Sequence, residues 1–203
     1  MMQTSSPQVI GITGGIGSGK SIVSKCFHIM GIPVYDCDKE AKRLNHTHPT
    51  IRQSLIKLVG THVYMTDGTL NKVALADYLF ATPTHAQQVN DIIHPVVKED
   101  FLQWKSRQHS PWVAIESAIL YESRFDSLAD KVIAVCAPAE VRLTRACLRD
   151  NASPDAIRAR MSHQTTDEEK SKQADYTLNN DDKQAILPQI LDILANLPCT
   201  YRR

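Results

Sequence analysis

Eight consecutive residues, Gly14-Gly15-Ile16-Gly17-Ser18-Gly19-Lys20-Ser21, have the types and spacing that hold a polyphosphate, GxxxxGK[ST]. Glycines let the backbone curl so that successive N–H groups point inward at phosphate oxygens. A helix starting at Lys20 adds the positive end of its dipole. Lys20 has the reach for the β- and γ-phosphates of ATP, and the Ser21 hydroxyl suits Mg2+. The pattern follows a short β-branched run and precedes a helical one, the context in which it carries weight. Five of the eight glycines fall within Gly11–Gly19, a concentration that an accidental glycine-rich turn would rarely produce.

Acids and arginines supply the rest of a phosphoryl-transfer chemistry. In open parallel sheets ligands bind beyond the carboxyl ends of the strands, where Asp36, Asp38 and Glu116 fall. A hydroxyl acceptor needs a carboxylate that orients it and takes its proton, and Asp38 is the choice for that base. The plainer reading of Asp38 is an N-cap for a helix over Lys39–Asn45, and the two roles are compatible. Glu116 is positioned to hold Mg2+ or one of its waters, or is a simple surface acid at a strand end; Glu122 is a weaker candidate. Arg142, Arg145 and Arg149 are spaced to share a helical face, with Arg158 and Arg160 in the next helix. Arginines on a mobile lid stabilise charge on a transferring phosphoryl group, with Arg149 the strongest single candidate. The alternative is a solvated helix face.

The elements that must position these residues follow from periodicity. Val9–Thr13, Ile32–Tyr35, Trp112–Ile115 and Lys131–Cys136 read as strands, short, β-branched and bounded by Gly, Pro or Asp, and Thr177-Leu178 as a short fifth. Strands alternating with helices predict a parallel sheet covered on both faces. Lys39 to Ser110 is too long for a loop and reads as an inserted helical subdomain. Ala139–Gln164 is rich in arginine, and Ser153-Pro154 within it is a helix start signal. Ile186, Leu187, Ile190, Leu191 and Leu194 keep helical spacing, with Pro188 kinking that helix or marking its beginning.

Over 203 residues the composition is 42% apolar and 22% charged with a net charge of +1, that of an ordinary globular protein without the basic footprint of a nucleic-acid binder. The start of the chain, Met1 to Pro7, has neither a charged leader nor an apolar run. No segment approaches the roughly 20 apolar residues that span a bilayer. The five cysteines, Cys26, Cys37, Cys136, Cys147 and Cys199, lack CxxC spacing and read as reduced, mostly buried thiols of a cytoplasmic protein.

The run Gly11-Ile12-Thr13-Gly14-Gly15-Ile16-Gly17-Ser18-Gly19-Lys20-Ser21, followed by Gly31-Ile32-Pro33-Val34-Tyr35-Asp36-Cys37-Asp38, resembles the bacterial dephospho-CoA kinases, whose members carry TGGIGSGKS and then a DxD at this spacing. The likeness continues through Asp67 to Asn71, His94 to Val97, Ile119 to Glu122, Arg145 and Arg149, Arg160 to Gln164, and Ala174 to Asn180. The resemblance implies a nucleoside-monophosphate-kinase-like P-loop core over 8–38, 111–138 and 165–203, an inserted CoA-substrate domain over 39–110, and a lid over 139–164. It implies transfer of the ATP γ-phosphoryl to the ribose 3′-hydroxyl of dephospho-CoA, with Asp38 as base and Arg149 as lid arginine. Arg145 and the segment near Asn180 belong to the ATP side, the latter against the adenine. Asp36, Lys72, His94 and Pro95 belong to the substrate side, although His94 also suits a packing role at a helix end.

The sequence departs from the family pattern at four places. Ile22 stands where Thr is usual, at a position that contributes its backbone N–H. Lys72 replaces an Arg, keeping the charge without the bidentate fork. Ala118 replaces a Pro and Arg142 a Gln; none of the four is expected to touch the core chemistry. Two other readings compete: a nucleoside monophosphate or other small-molecule kinase, and a nucleotide-dependent switch, although no NKxD for guanine is present. A monomer or weak homo-oligomer is expected, with no nucleic-acid or membrane partner.

Overall fold

The computed structural model describes residues 6–162 and 164–198; Met1 to Ser5 and Cys199 lie outside the described residues. The chain divides into two compact units, one formed by residues up to Asp36 together with those from Lys105 onward, the other by Cys37–Trp104.

The first unit is built on five strands: β1 (Gln8–Thr13), β2 (Val34–Asp36), β3 (Trp112–Glu116), β4 (Lys131–Cys136) and β5 (Tyr176–Asn179). They lie in the order β2-β3-β1-β4-β5, and every pairing is parallel. The expected second strand begins two residues later and ends on Asp36, because Ile32 and Pro33 are spent on the turn that returns from the helix after β1. Ile32 N–H caps back to the Phe27 carbonyl (2.9 Å).

Alternation along the strands divides the core. Ile10 and Ile12, Trp112 and Ala114, Ile133 and Val135, and Leu178 face one way. There they pack against Val23 and Phe27 of α1 (Lys20–Ile29) and against Ile190 and Ile193 of α9 (Ile186–Ala195). Pro188 falls in the first turn of α9, so it marks the beginning of that helix and does not kink it. On the opposite face a Cβ at Gly11 would stand 2.9 Å from the Leu120 side chain and 3.2 Å from Ala129, so the segment after β3 packs directly on β1. After β4 come α6 (Ala139–Asp150), α7 (Pro154–Met161) and α8 (Asp167–Gln173). Ser153 caps α7 as its sequence predicts, accepting from Ala156 N–H, and α8 opens on a reciprocal Thr166–Glu169 capping box.

The second unit is helical: α2 (Cys37–Thr47), α3 (Pro49–Val59), α4 (Lys72–Ala81) and the long α5 (Pro83–Ser106), whose last two residues enter the first unit. Arg43 of α2 bonds both carboxylate oxygens of Asp100 on α5 at 2.8 Å. The Arg52 guanidinium sits 4.3 Å over the Tyr64 ring. Cys26, Cys37, Cys136 and Cys147 are free thiols. Of these only Cys37 is buried, the others being half-buried, with Cys26 and Cys147 packed at the margins of the core. No helix among the described residues is long and apolar enough to cross a membrane.

Candidate active site

The loop between β1 and α1 takes its shape from glycines that no other residue replaces. Gly17 (φ 78°) and Gly19 (φ 98°) occupy left-handed backbone. A Cβ on Gly17 would stand 2.2 Å from the Arg142 carbonyl oxygen, and one on Gly19 2.1 Å from Asn180 Nδ2. Gly19 is also the N-cap residue of α1, so the loop runs straight into the positive end of a helix, whose first residues are Lys20 and Ser21. Lys20 is buried; its ammonium donates to the Gly14 carbonyl (3.0 Å) and the Gly15 carbonyl (3.3 Å).

Side chains from the later part of the chain grip this loop. Asn180, buried just beyond β5, donates from Nδ2 to the Ser18 carbonyl (2.7 Å). Arg145 donates to the Gly17 carbonyl (3.4 Å) and pairs with Asp182 (2.5 Å). Gln164 accepts from Ile16 N–H (2.9 Å), and Asp167 from Gly15 N–H (3.3 Å). Ile22 N–H donates to the Gly19 carbonyl (2.9 Å). The Arg142 guanidinium lies so close over Gly15 that a Cβ there would meet Nη1 at 1.7 Å, and it pairs with Asp167 (3.2 Å). Arg142 therefore does touch the phosphate loop, contrary to expectation. Its side chain is long enough to cross from α6 to Gly15, where a carboxylate waits to neutralise it.

The three arginines predicted on one face of α6 diverge. Arg142 and Arg145 turn to the loop, whereas Arg149 bonds Asp150 through Nε (2.7 Å) and Nη2 (3.0 Å). Arg160 joins the same carboxylate (2.7 Å). Hydrogen bonds from Arg149 and Arg160 hold the Asp150 carboxyl well below the ordinary range.

At the strand ends Glu116 is in register with Ile12 of β1 and with Asp36 of β2. It accepts a 2.5 Å hydrogen bond from Ser24 Oγ on α1. Ser21 precedes Ser24 by three residues on the same helix, so the two share a face about 4.5 Å apart along the axis. Beyond β3, the fully buried Lys170 of α8 donates to the Ala118 carbonyl (2.6 Å) and lies 3.6 Å from Glu122. Burial pushes the Lys170 ammonium's pKa down, against the opposing pull of Glu122 and Asp167. Burial raises that of Glu122, but the Thr165 N–H and Lys170 bring it below the ordinary value.

In the helical unit, Asp38 is exposed in the first turn of α2. It is not the N-cap: the helix already begins at Cys37, directly after Asp36 closes β2, which places Asp38 inside the first turn. Lys72 is the first residue of α4, behind the N-cap Asn71. His94 and Pro95 lie in the middle of α5 and not at a helix end. Pro95 interrupts the backbone ladder there, and burial lowers the pKa of His94.

Gln164, Asp167, Ser24 and Lys170 escape sequence reading as site residues. Gln164 lies within the run that carries the family likeness, and it alone had a signal.

A parallel sheet in the order β2-β3-β1-β4-β5, with a GxxxxGKS loop joining its central strand to a helix, is the nucleotide-binding core of a P-loop kinase. The family model for dephospho-CoA kinase matches residues 8–185. The dephospho-CoA kinase of Bacteroides fragilis is 50% identical over 189 residues, which cover 93% of this chain and 92% of that protein. Among solved structures, the Thermus thermophilus protein TT1252 superposes with a TM-score of 0.84 at 32% identity, covering 96% of this chain and 100% of that one. Dephospho-CoA kinase from Campylobacter jejuni has the same fold, with a TM-score of 0.65 at 22% identity over 93% of this chain and 96% of that chain. The chain belongs to the dephospho-CoA kinase family.

Proposed function

We propose that this chain moves the γ-phosphoryl group of ATP to the ribose 3′-hydroxyl of dephospho-CoA, with Lys20, Asp38 and Arg149 as its chemical groups. That it is an ATP-dependent kinase acting on dephospho-CoA in coenzyme A biosynthesis follows from its family. The observation that carries the assignment is the family match over residues 8–185 on a core whose phosphate loop is intact. A nucleoside monophosphate kinase and a non-catalytic switch are not favoured by that match.

The residue roles follow from chemistry. The backbone of the Gly14–Ser21 loop and the start of α1, Ile22 included, cradle the phosphates, with the Gly15 and Ile16 N–H groups reserved for Asp167 and Gln164, and the Lys20 ammonium stands beside the transferring group. Arg145 and Asn180 flank the nucleotide side of the loop, with Asn180 also bracing it at Ser18. Asp38, exposed two residues beyond β2, takes the proton of the acceptor hydroxyl, and Asp36 helps to orient that acceptor. Residues 39–110 bind the remainder of dephospho-CoA, with Lys72, His94 and Pro95 contributing. Residues 139–164 act as the lid that carries Arg149.

The donor set around Ser21 suits Mg2+. Hard oxygen donors from one hydroxyl and one carboxylate, Ser21 and Glu116, are what an ion that keeps several waters and phosphate oxygens requires. Among the described residues no cluster of three or more His, Cys, Asp or Glu competes for a metal. When bound, the ion neutralises charge on the phosphates. The substrates are small and water-soluble, which suits a cytoplasmic monomer or weak homo-oligomer.

The test is ADP release with Mg·ATP and a panel of acceptors. Turnover with dephospho-CoA, and none with nucleoside monophosphates, is the expected result. Turnover with a monophosphate alone would keep the P-loop chemistry and discard the acceptor.

A further inference from the structure

Lys20 and two side chains from the lid end of the chain grip the same two peptide planes. The plane between Gly14 and Gly15 has its carbonyl held by Lys20 Nζ (3.0 Å) and its N–H held by Asp167 Oδ1 (3.3 Å). The next plane, between Gly15 and Ile16, has its carbonyl held by Lys20 Nζ (3.3 Å) and its N–H by Gln164 Oε1 (2.9 Å). In a trans peptide the C=O and N–H point in opposite directions from one rigid plane, so an acceptor that fixes the N–H also aims the carbonyl. Glycine at both Gly14 and Gly15 leaves these planes little stiffness of their own, and the aim must come from outside the loop.

We propose that Gln164 and Asp167 are positioning residues for Lys20, acting through the backbone of Gly14–Ile16. They hold the two carbonyls that place the ammonium. Asp167 can stand beside an anion-binding loop because Arg142 Nη1 (3.2 Å) offsets its charge, and its second oxygen accepts from Ala137 N–H at the end of β4 (3.3 Å). Gln164 is neutral and adds direction without charge. Both flank Thr166, the N-cap of α8, and α8 is anchored by the buried Lys170 on the Ala118 carbonyl (2.6 Å). The link therefore runs from the segment after β3, through α8, to the lysine that contacts the phosphoryl group.

This inference rests on the reading of Lys20 as that lysine, and a double-mutant cycle separates the two. Single-turnover rates with Mg·ATP and dephospho-CoA are measured for the full chain carrying Gln164→Met, Lys20→Met or both. Loss of one neutral hydrogen bond predicts about a fivefold slower rate for Gln164→Met, with KM for dephospho-CoA and the thermal midpoint unchanged. In the Lys20→Met background the same substitution should change nothing further. Gln164→Glu keeps an oxygen acceptor at the same reach and should stay within about twofold of the parent rate, with its added charge read as a higher KM for ATP. An undiminished fivefold loss in the Lys20→Met background would overturn the proposal and leave the Lys20 reading standing. So would an equal loss in Gln164→Glu and Gln164→Met. Near-normal turnover by Lys20→Met alone would remove the Lys20 reading, and this proposal with it.

Discussion

Gly19 and Asn180 should be coupled, and the coupling can be worked from the structure. Asn180→Ala removes the 2.7 Å bond from Nδ2 to the Ser18 carbonyl and leaves that buried acceptor unpaired, a loss of about 2 kcal/mol. Gly19→Ala carries two costs. The left-handed backbone at φ 98° costs an alanine roughly 1–2 kcal/mol. The new Cβ, 2.1 Å from Asn180 Nδ2, also expels that side chain and so forfeits the same hydrogen bond, about 2 kcal/mol more. The single substitutions therefore lose about 2 and about 3–4 kcal/mol, and simple addition gives about 5–6. The double variant has no Nδ2 to expel and should lose only about 3–4 kcal/mol, a coupling of about 2 kcal/mol. Urea unfolding followed by far-UV circular dichroism measures all three. Additivity to within about 0.5 kcal/mol would show that Asn180 does not brace the loop at Gly19, and the clamp drawn here would be wrong.

Asp38→Asn should lower kcat by roughly 10²–10⁴ with ATP affinity little changed; a rise in KM for dephospho-CoA alone would make Asp38 a binding residue. Lys170→Met should destabilise the chain by about 2 kcal/mol in urea, because it strips the Ala118 carbonyl and the partly solvated Glu122 of their cation; a change below about 0.5 kcal/mol would contradict the anchoring of α8. Asp175 accepts from Val132 N–H (2.8 Å) and Lys131 (2.6 Å), tying β4 to β5. Burial raises its pKa, but these bonds bring it below the ordinary 3.8. A depressed carboxylate stabilises the fold above its ordinary value and loses that contribution as pH falls through the folded one. Asp175→Asn should thus cost about 1 kcal/mol at neutral pH, with the gap to the parent closing as pH falls below 3.8 and through the lower folded value. A gap that persists or widens in acid would refute the assignment.

Much of the core was legible because its signals are local. β1 and β4 are β-branched runs bounded by turn residues, and the glycine spacing of residues 14–19 encodes a loop whose geometry other residues cannot adopt. Asp36 and Glu116 were readable as strand-end acids because a parallel sheet presents its ligands there. What was not legible depends on contacts between distant segments. Nothing in the local sequence tells that Gln164 and Asp167 reach back about 150 residues to Ile16 and Gly15. Arg142 looked like a neutral exchange on a helix face, and only the packing of α6 over the loop reveals its contact with Gly15. Lys170 reads as one charge in a polar helix, and its burial follows from where α8 meets the segment after β3. The plainer reading of Asp38 as a cap fails because α2 begins at Cys37, two residues before the expected Lys39, since β2 passes into α2 without an intervening turn.

The central claim is the acceptor atom, and phosphorus NMR of the product reads it directly. Dephospho-CoA incubated with the protein and Mg·ATP should give one new phosphomonoester whose phosphorus couples to the ribose H3′, with ADP formed in equal amount. A phosphate on the 2′-hydroxyl, or ADP released with no new ester, would contradict the account.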